Sequence, residues 1–280
     1  MAANWRFDLE LALLNQGKQM SSKSKLVPKT SGAILSSFLI FQAIACSSPT
    51  TPPQLAGSSA SRNAYNTAFP LQENPISEGG KWIGGQSAGR NLWGDVQTKE
   101  NFAFGVSEPT KFGDPTAILA GLWGPDQTVS GVVRIATTPT GQCCREVELR
   151  LRATISNDGI TGYEAYCSVM PVAPYCHIAR WNGPNGRYCN IDSSTPVIYA
   201  VDGDVLTAKV TGTNPTIITM YKNGAQIARA IDVGQNCSPG GAAGPFTSGS
   251  PGIGFYNDQD STWSIFGFSS FSAKADFQNP

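Results

Sequence analysis

Residues 146–152 read Glu146-Val147-Glu148-Leu149-Arg150-Leu151-Arg152, and this stretch decides the fold class. Its apolar and charged side chains alternate with a period of two. That is the period of a β-strand, because successive side chains point to opposite faces of a sheet. The apolar residues of the stretch therefore face a core, and we interpret its glutamates and arginines as a solvent-exposed face. A strand with one apolar and one polar face is typical of an antiparallel sheet.

Further segments have the length and residue types of strands, and turn residues separate them. They are residues 128–136, 163–170, 175–181, 197–201, 205–210, 216–221, 226–231, 252–255 and 263–273. Asn223-Gly224 fits a hairpin turn of type I′, and no long stretch keeps the 3.6-residue period of a helix. The sequence therefore predicts an all-β domain, built as a two-sheet antiparallel β-sandwich of the jelly-roll type.

The N-terminal part of the chain has the composition of a targeting segment. Lysines at 18–29 form a positive region, residues 30–61 carry no charge, and an apolar run follows at 33–45. The run has the length of a signal-peptide core rather than of a membrane span. It ends Ala43-Ile44-Ala45-Cys46, which favours either lipidation of Cys46, as in a bacterial lipoprotein box, or ordinary cleavage before it. An uncleaved anchor is the third alternative.

These patterns divide the chain into three parts. We expect a signal or lipoprotein-type segment at 1–46, a Pro/Ser/Thr-rich tether at 47–68 and the jelly-roll domain at 69–280. The pattern favours Met20 over Met1 as the start, because residues 1–19 place extra length and two acids ahead of the signal. The protein is therefore expected to be secreted or displayed on the outer cell surface.

The cysteines support export to an oxidising compartment. The sequence has seven, and six remain when Cys46 is set aside, an even number that suits disulfides. A hairpin centred on residues 171–174 places Cys167 opposite Cys176, so we predict a disulfide between these two. His177 is the only histidine and no C-x-x-C motif occurs, so we expect no Cys/His metal site.

The charge distribution disfavours nucleic acid as a partner. Residues 1–64 carry six Lys/Arg and two Asp/Glu, a net +4, whereas residues 65–280 carry fourteen and eighteen, a net −4. A mildly acidic domain lacks the basic patch that phosphate binding needs.

Several segments, taken in order, resemble the closing strands of concanavalin A-like domains. These are residues 201–206, 218–224, 252–255 and 266–271. The superfamily includes laminin G-type modules, legume-type lectins, and jelly-roll glucanases and lyases. Residues 121–127, 146–152 and 180–184 resemble a bacterial laminin G-like group of exported proteins of uncharacterised function. The resemblance spans about residues 70–275 and implies a fold rather than an activity, because one fold hosts many activities.

An alginate-lyase-like activity is one function that the resemblance implies. Such lyases neutralise a uronate carboxylate with a cation or amide and abstract a proton with a histidine or tyrosine. Glu148-Leu149-Arg150 matches the end of the first lyase motif, although Glu146 replaces its leading arginine. His177 supplies a histidine in the right order. Tyr221-Lys222-Asn223-Gly224 matches the start of the third motif, although Gln226 replaces its catalytic tyrosine. On this hypothesis His177, Arg150, Tyr221 and Glu148 converge in one groove.

A glycoside hydrolase agrees less well with the residues. Jelly-roll glucanases place two catalytic carboxylates on one strand face, in a motif E-x-D-x-x-E. Glu146 and Glu148 share a face, but Leu151 stands where the last glutamate is required. An enzyme of this chain would therefore be a lyase before a hydrolase.

Carbohydrate binding is the function that we predict. Sugar sites combine aromatic rings, which cover C–H faces, with polar groups that bind hydroxyls. Our first candidates are Trp181, Asn182, Trp123 and Asp126, with Trp181 foremost because a loop follows it. Further candidates near turns are Trp93, Tyr188, Tyr256, Asn257, Asp258 and Trp263.

The expected partner is a polysaccharide or glycoconjugate, and the expected state is a monomer that touches a membrane only through its N-terminal lipid or anchor. Ca²⁺ is the one cofactor that the sequence allows, through the pairs Asp202/Asp204 or Asp258/Asp260, with plain turn chemistry as the alternative. A polysaccharide lyase and a non-catalytic structural or adhesion module are the alternative functions.

Overall fold

The computed structural model of the chain describes residues 62–88, 93–106, 114–141, 144–184, 186–193, 197–257 and 263–276. The predicted targeting segment, including Cys46, lies outside these residues, as do residues 47–61 of the predicted tether. The first described strand lies inside the predicted tether, so the sheet structure already includes Arg62–Thr67. In the described part of the chain, no helix is long and apolar enough to cross a membrane.

One sheet has eight strands. They are β1 Arg62–Thr67, β3 Asp95–Thr98, β4 Ala103–Val106, β6 Asp126–Ile135, β11 Val205–Thr211, β12 Thr216–Lys222, β13 Ala225–Asp232 and β15 Phe266–Asp276. Their order is β13-β12-β11-β6-β15-β4-β3, and β1 pairs with the C-terminal half of β15.

The other sheet has seven strands. They are β2 Trp82–Gly84, β5 Thr116–Leu119, β7 Arg145–Ser156, β8 Gly159–Ser168, β9 Cys176–Gly183, β10 Tyr188–Asn190 and β14 Ser250–Asn257. Their order is β10-β9-β8-β7-β14-β5-β2, and every pairing in both sheets is antiparallel. Two short 3₁₀ turns occupy Gly85–Ala88 and Trp263–Ile265.

The core lies between the two sheets. Val147, Leu149 and Leu151 of β7 are fully buried there, as the alternation in residues 146–152 predicts. Phe255 of the seven-stranded sheet meets Phe268 of the eight-stranded sheet with ring centroids 5.6 Å apart. Burial of such apolar faces is the main force that holds two sheets together. The predicted two-sheet antiparallel β-sandwich is confirmed.

Both predicted hairpin features are present. Asn223 and Gly224 join β12 to β13 with φ values of 51° and 82°, as a type I′ turn requires. Cys167 and Cys176 pair directly across β8 and β9 and form the predicted disulfide.

The prediction of a strand at residues 197–201 is wrong. That segment forms no ladder, and it meets the end of β8 through a hydrogen bond from the amide of Ala200 to the carbonyl of Ser168.

Further bonds tie the two sheets together on the side where β9, β10 and β13 lie. The buried guanidinium of Arg180 on β9 contacts Asp232 on β13 at 2.6 Å, and the Tyr163 hydroxyl donates to the same carboxylate at 2.8 Å. A second disulfide joins Cys189 of β10 to Cys237, in the loop after β13. This side of the sandwich is therefore fixed by covalent and charged contacts as well as by the core.

Candidate functional site

The outer face of the seven-stranded sheet carries an unusual set of charged side chains. Glu148 and Arg150 point away from the core on β7, and the register places them opposite Tyr166 and Glu164 of β8. We interpreted this face of β7 as solvent-exposed, and that interpretation is wrong. Glu148 and Arg150 are 0% and 1% exposed, because the segment before β5, with Asp114, and the aromatic residues described below cover them.

Arg150 is the centre of a buried ion-pair network, which we call the acidic network and define as Asp114, Glu148, Arg150 and Glu164. One guanidinium nitrogen of Arg150 binds Glu164. The other binds Asp114, Glu148 at 2.6 Å and the hydroxyl of Thr116 at 3.0 Å. All four side chains of the network are at most 5% exposed. One cation thus faces three carboxylates, with little water to screen them.

The acidic network holds three carboxyl groups but only one guanidinium. This imbalance, together with burial, shifts the pKa values of its members. Burial raises the pKa of Asp114 to about 7, although the attraction of Arg150 opposes the rise. Burial and the neighbouring acids raise the pKa of Glu148 well above its usual range, and burial raises that of Glu164. Burial lowers the pKa of Arg150, but attraction from its three carboxylates outweighs burial and leaves the pKa raised. Arg150 therefore stays charged, while its partners hold protons to unusually high pH.

The same carboxylates form a geometry that a metal ion would accept. Asp114, Glu148 and Glu164 each offer an oxygen, and these oxygens lie within 4.8 Å of one another. The guanidinium of Arg150 already binds all three residues and supplies the positive charge that an ion would bring.

The side chains of the Asp202/Asp204 pair, which the sequence offered for Ca²⁺, bind other protein groups. Asp204 contacts Lys222 at 2.9 Å, and Asp202 accepts a hydrogen bond from the amide of Ile135 at 2.7 Å.

A glycine makes room for the acidic network. Gly254 of β14 pairs with Glu148 of β7 and with Thr116 of β5. A Cβ atom at Gly254 would lie 2.2 Å from Oε2 of Glu148 and 2.9 Å from Nε of Arg150. Both distances are far inside van der Waals contact, so only glycine lets the carboxylate and guanidinium lie flat against this strand.

A pocket opens beside the acidic network, and we call it the aromatic pocket. Its volume is about 190 Å³, and it is partly open to solvent. It combines ring faces with carboxylates, and its lining residues are Asp114, Cys144, Glu146, Glu164, Tyr166, Trp181, Tyr188 and Tyr256.

Trp181 joins the aromatic pocket to the acidic network. Its ring packs against Tyr188 at 4.7 Å between centroids and edge-on against Trp93 at 4.8 Å. Its indole N–H donates to Glu164, and the Arg150 guanidinium lies 5.6 Å from its ring centroid. Trp181 is only 3% exposed, whereas Tyr188 is 36% exposed. Tyr188 is therefore the ring that an incoming ligand would meet, and Trp181 is its support.

Glu146 supplies a further carboxyl group to the aromatic pocket. One of its oxygens accepts a hydrogen bond from the Tyr175 hydroxyl. Burial raises the pKa of Glu146 to about 8, with Glu164 and Asp114 adding to the rise. The ring of Tyr175 packs in turn against Tyr166 and His177, with centroids 6.1 and 6.0 Å away. His177 sits on the same sheet face, with its Nδ1 atom 3.2 Å from the Asp192 carboxylate.

The structure brings some of the predicted site residues together and separates others. Glu148, Arg150 and Trp181 meet in one place, and His177 lies on the same face at the strand pair Tyr166–His177. Tyr221 lies in β12 of the opposite sheet, where the Lys209 ammonium sits 5.0 Å from its ring centroid. The groove that the lyase hypothesis predicts is therefore not formed by all of its residues.

The other predicted binding residues lie elsewhere and have structural contacts. The Trp123 indole donates to the carbonyl of Ala120 at 3.2 Å, and Asp126 accepts from the amide of Gly212 at 3.0 Å. Asn182 donates to the carbonyl of Gly240. Asp258, Asp260 and the side chain of Trp263 lie outside the described residues.

Asp114 and Glu164 were missed by the sequence interpretation. Glu164 had a signal, because the turn at Asn157-Asp158 folds β8 back on β7 and sets Glu164 opposite Arg150. Asp114 had no signal in the sequence, because it lies 36 residues from Arg150 along the chain.

The sequence matches no protein-family model and no curated protein. Solved structures match it at low identity, with TM-scores below 0.5 for those that follow. The carbohydrate-binding module CBM66 from Bacillus subtilis is 14% identical, over 71% of this chain and 95% of that chain, with a TM-score of 0.43. The metal-free carbohydrate recognition domain of Emp46p is 10% identical, over 76% and 95%, with a TM-score of 0.46. The Ca²⁺/Man3GlcNAc-bound domain of VIP36 is 10% identical, over 69% and 83%, with a TM-score of 0.40. Similarity this distant assigns neither a ligand nor an activity to this chain.

Proposed function

We propose that this protein binds carbohydrate and that the sugar occupies the aromatic pocket. The observation that carries the proposal is the junction of Tyr188 and Tyr256 with the carboxyl groups of Glu146 and Glu164 around one cavity. A sugar ring offers apolar C–H faces that pack on aromatic rings and hydroxyl groups that donate to carboxylates. The pocket supplies both kinds of surface within a single opening.

The size of the aromatic pocket supports a small ligand group. Its volume of about 190 Å³ is below the roughly 300–1,000 Å³ of sites for drug-sized ligands. We infer that one sugar unit, at the end or on a branch of a glycan, enters the pocket. The rest of the glycan would lie over the rim next to Tyr188.

The lyase alternative has less support than binding. Its chemistry needs a free cation or amide to neutralise a uronate, and Arg150 is already bound to three carboxylates. Its tyrosine candidate, Tyr221, belongs to the opposite sheet. A structural or adhesion module without a sugar ligand is the remaining alternative.

We further propose that the domain works outside the cytoplasm, either free or held by a lipid at Cys46. The disulfides Cys167–Cys176 and Cys189–Cys237 support this, because such bonds persist in oxidising compartments. Expression of the full chain with radiolabelled palmitate tests the lipid. Label that survives in the Cys46→Ser variant would contradict lipidation at this residue.

A glycan array with the purified domain tests the binding proposal, and Tyr188→Ala is the informative variant. We expect it to weaken the best ligand by about two- to tenfold, since a lost aromatic contact costs roughly 0.5–1.5 kcal/mol. Tyr221→Ala is the matched control, because it removes a tyrosine from the outer face of the opposite sheet. Equal losses in the two variants, or no binding to any glycan, would overturn the proposal. Absorbance from unsaturated uronates during the same incubation would favour the lyase instead.

A further inference from the structure

We propose that the aromatic pocket selects sugars that carry a free amino group, in preference to neutral sugars and uronates. This inference rests on the proposed function, because it names the class of sugar that enters the same pocket. It follows from the balance of charge in the pocket, from a buried oxygen without a partner, and from the way the rings are placed.

Among its described lining residues, the pocket presents more negative than positive groups. Asp114, Glu146 and Glu164 line it, and none of the lining residues that the structure describes is a lysine, arginine or histidine. The nearby cation is Arg150, whose two terminal nitrogens are already shared among Asp114, Glu148 and Glu164. A uronate carboxylate that entered would meet carboxyl groups, and the terminal nitrogens of Arg150 are already paired with acids.

One buried oxygen in the layer beneath the pocket has no hydrogen-bond partner. Glu148 is 0% exposed, and its Oε1 atom accepts no hydrogen bond, while Oε2 is bound to Arg150. A buried polar atom without a partner costs roughly 1–3 kcal/mol, so sites of this kind gain from a donor or a positive charge nearby. Glu148 is thus a buried acceptor of the acidic network that a donor or a cation would satisfy.

The pKa values of the acids in the pocket agree with this shortage of positive charge. Burial raises the pKa of Glu146 to about 8 and that of Asp114 to about 7, so protons take the place of a missing cation near neutral pH. Burial also raises the pKa of Tyr188 to about 12 and moves that of Tyr166 higher still, so both phenols stay neutral. A ligand cation would lower the carboxyl pKa values and release protons as it binds.

An ammonium group on a sugar matches all of these features. It offers three N–H donors, one charge and no acceptor. It is also attracted to the faces of tyrosine rings such as Tyr188 and Tyr256, which line the same pocket. The sugar ring that carries it supplies the C–H surface that the proposed function requires. A neutral hydroxyl at the same place would form the weaker, uncharged kind of hydrogen bond.

Calorimetry with three trimers tests the inference: a glucosamine trimer, its N-acetylated form and a uronate trimer. We expect the glucosamine trimer to bind about tenfold tighter than the acetylated trimer, because charged hydrogen bonds are the stronger ones. We expect the uronate to bind weakest. Titrations at a pH at which the sugar amine is already protonated, in buffers of different ionisation enthalpy, should show proton release with glucosamine and none with the acetylated sugar.

The variant Glu146→Gln removes a carboxyl group that can ionise against a bound cation and keeps an oxygen that can accept from Tyr175. It should reduce the preference for glucosamine over its acetylated form towards unity and diminish the proton release. Glu100→Gln is the matched control, because it removes the same group from an exposed side chain beside Lys99. It should leave the preference intact.

The outcomes separate this inference from the proposed function. Equal or tighter binding of the acetylated trimer overturns the amino-sugar inference and leaves carbohydrate binding standing. Binding of n-butylammonium as tight as that of glucosamine overturns the sugar part and points to amines such as lysine side chains. Failure of all three trimers overturns the inference, and the glycan array then decides whether the proposed function also fails.

Discussion

Gly254→Ala is the sharpest test of the packing around the acidic network. The added methyl group would lie 2.2 Å from Oε2 of Glu148 and 2.9 Å from Nε and Nη2 of Arg150, where carbon atoms normally keep about 3.5–4 Å. Neither side chain can move freely, because Arg150 is bound to Asp114, Glu164 and Thr116. The free energy of unfolding should therefore fall.

The expected size follows from three contributions. Extra volume in a packed site costs roughly 1–3 kcal/mol, and a lost hydrogen bond to a charged group costs about 1.5–3 kcal/mol. Replacing glycine by alanine also restricts the unfolded chain, which returns about 0.4–1 kcal/mol. A net loss of about 1.5–5.5 kcal/mol is the outcome, whereas chain entropy alone predicts a gain.

Urea denaturation followed by tryptophan fluorescence, with the disulfides intact, measures this loss. The matched background is Glu148→Ala, which removes the carboxylate that the methyl group strikes. There the cost of Gly254→Ala should shrink by about 1 kcal/mol or more. A neutral or stabilising effect of Gly254→Ala, or an equal cost in both backgrounds, would refute the proposed close contact.

Three further predictions concern stability. The folded pKa of Asp114 is raised from 3.8 to about 7, so its stabilising effect is complete at low pH and is lost as the pH rises. Urea midpoints should therefore show the protein about 2–3 kcal/mol less stable at pH 8 than at pH 5. Asp114→Asn should reduce that difference, and a stability maximum at pH 8 would contradict the argument. Trp181→Phe removes the N–H that binds Glu164 and should cost roughly 1–3 kcal/mol in the same assay, and an unchanged midpoint would show that the bond contributes nothing. Replacing Cys167 and Cys176 together by alanine opens a loop with a sequence separation of 9. It should cost about 2–3 kcal/mol by the loop-entropy relation, and thermal melts as stable as the parent's would count against it.

The parts of the fold that could be predicted are those with a local signal. The alternation at 146–152 marked β7 and its inward face, and Asn223-Gly224 marked the turn between β12 and β13. Short strands such as Trp82–Gly84 and Tyr188–Asn190 escaped prediction, because three residues are too few to show a period. They form strands because they hydrogen-bond to the edge of a longer neighbouring strand.

The candidate site was harder to predict than the fold. Alternation shows that Glu148 and Arg150 share a face, but it does not show whether that face meets solvent or protein. The answer depends on Asp114, which is distant in the sequence, and on Gly254, which permits the approach. Trp181, which we predicted to bind the ligand, lines the pocket, and at 3% exposure it lies behind the more exposed ring of Tyr188.

The pairing of β1 with β15 has a practical consequence. Arg62 lies beside Asp276, so the described chain enters and leaves through neighbouring strands of the eight-stranded sheet. The aromatic pocket opens on the outer face of the other sheet. A tag or carrier fused directly before Arg62 or directly after Asp276 therefore starts from the sheet opposite the pocket. The domain can be coupled to a sensor chip or bead through either end with its pocket turned towards the solution.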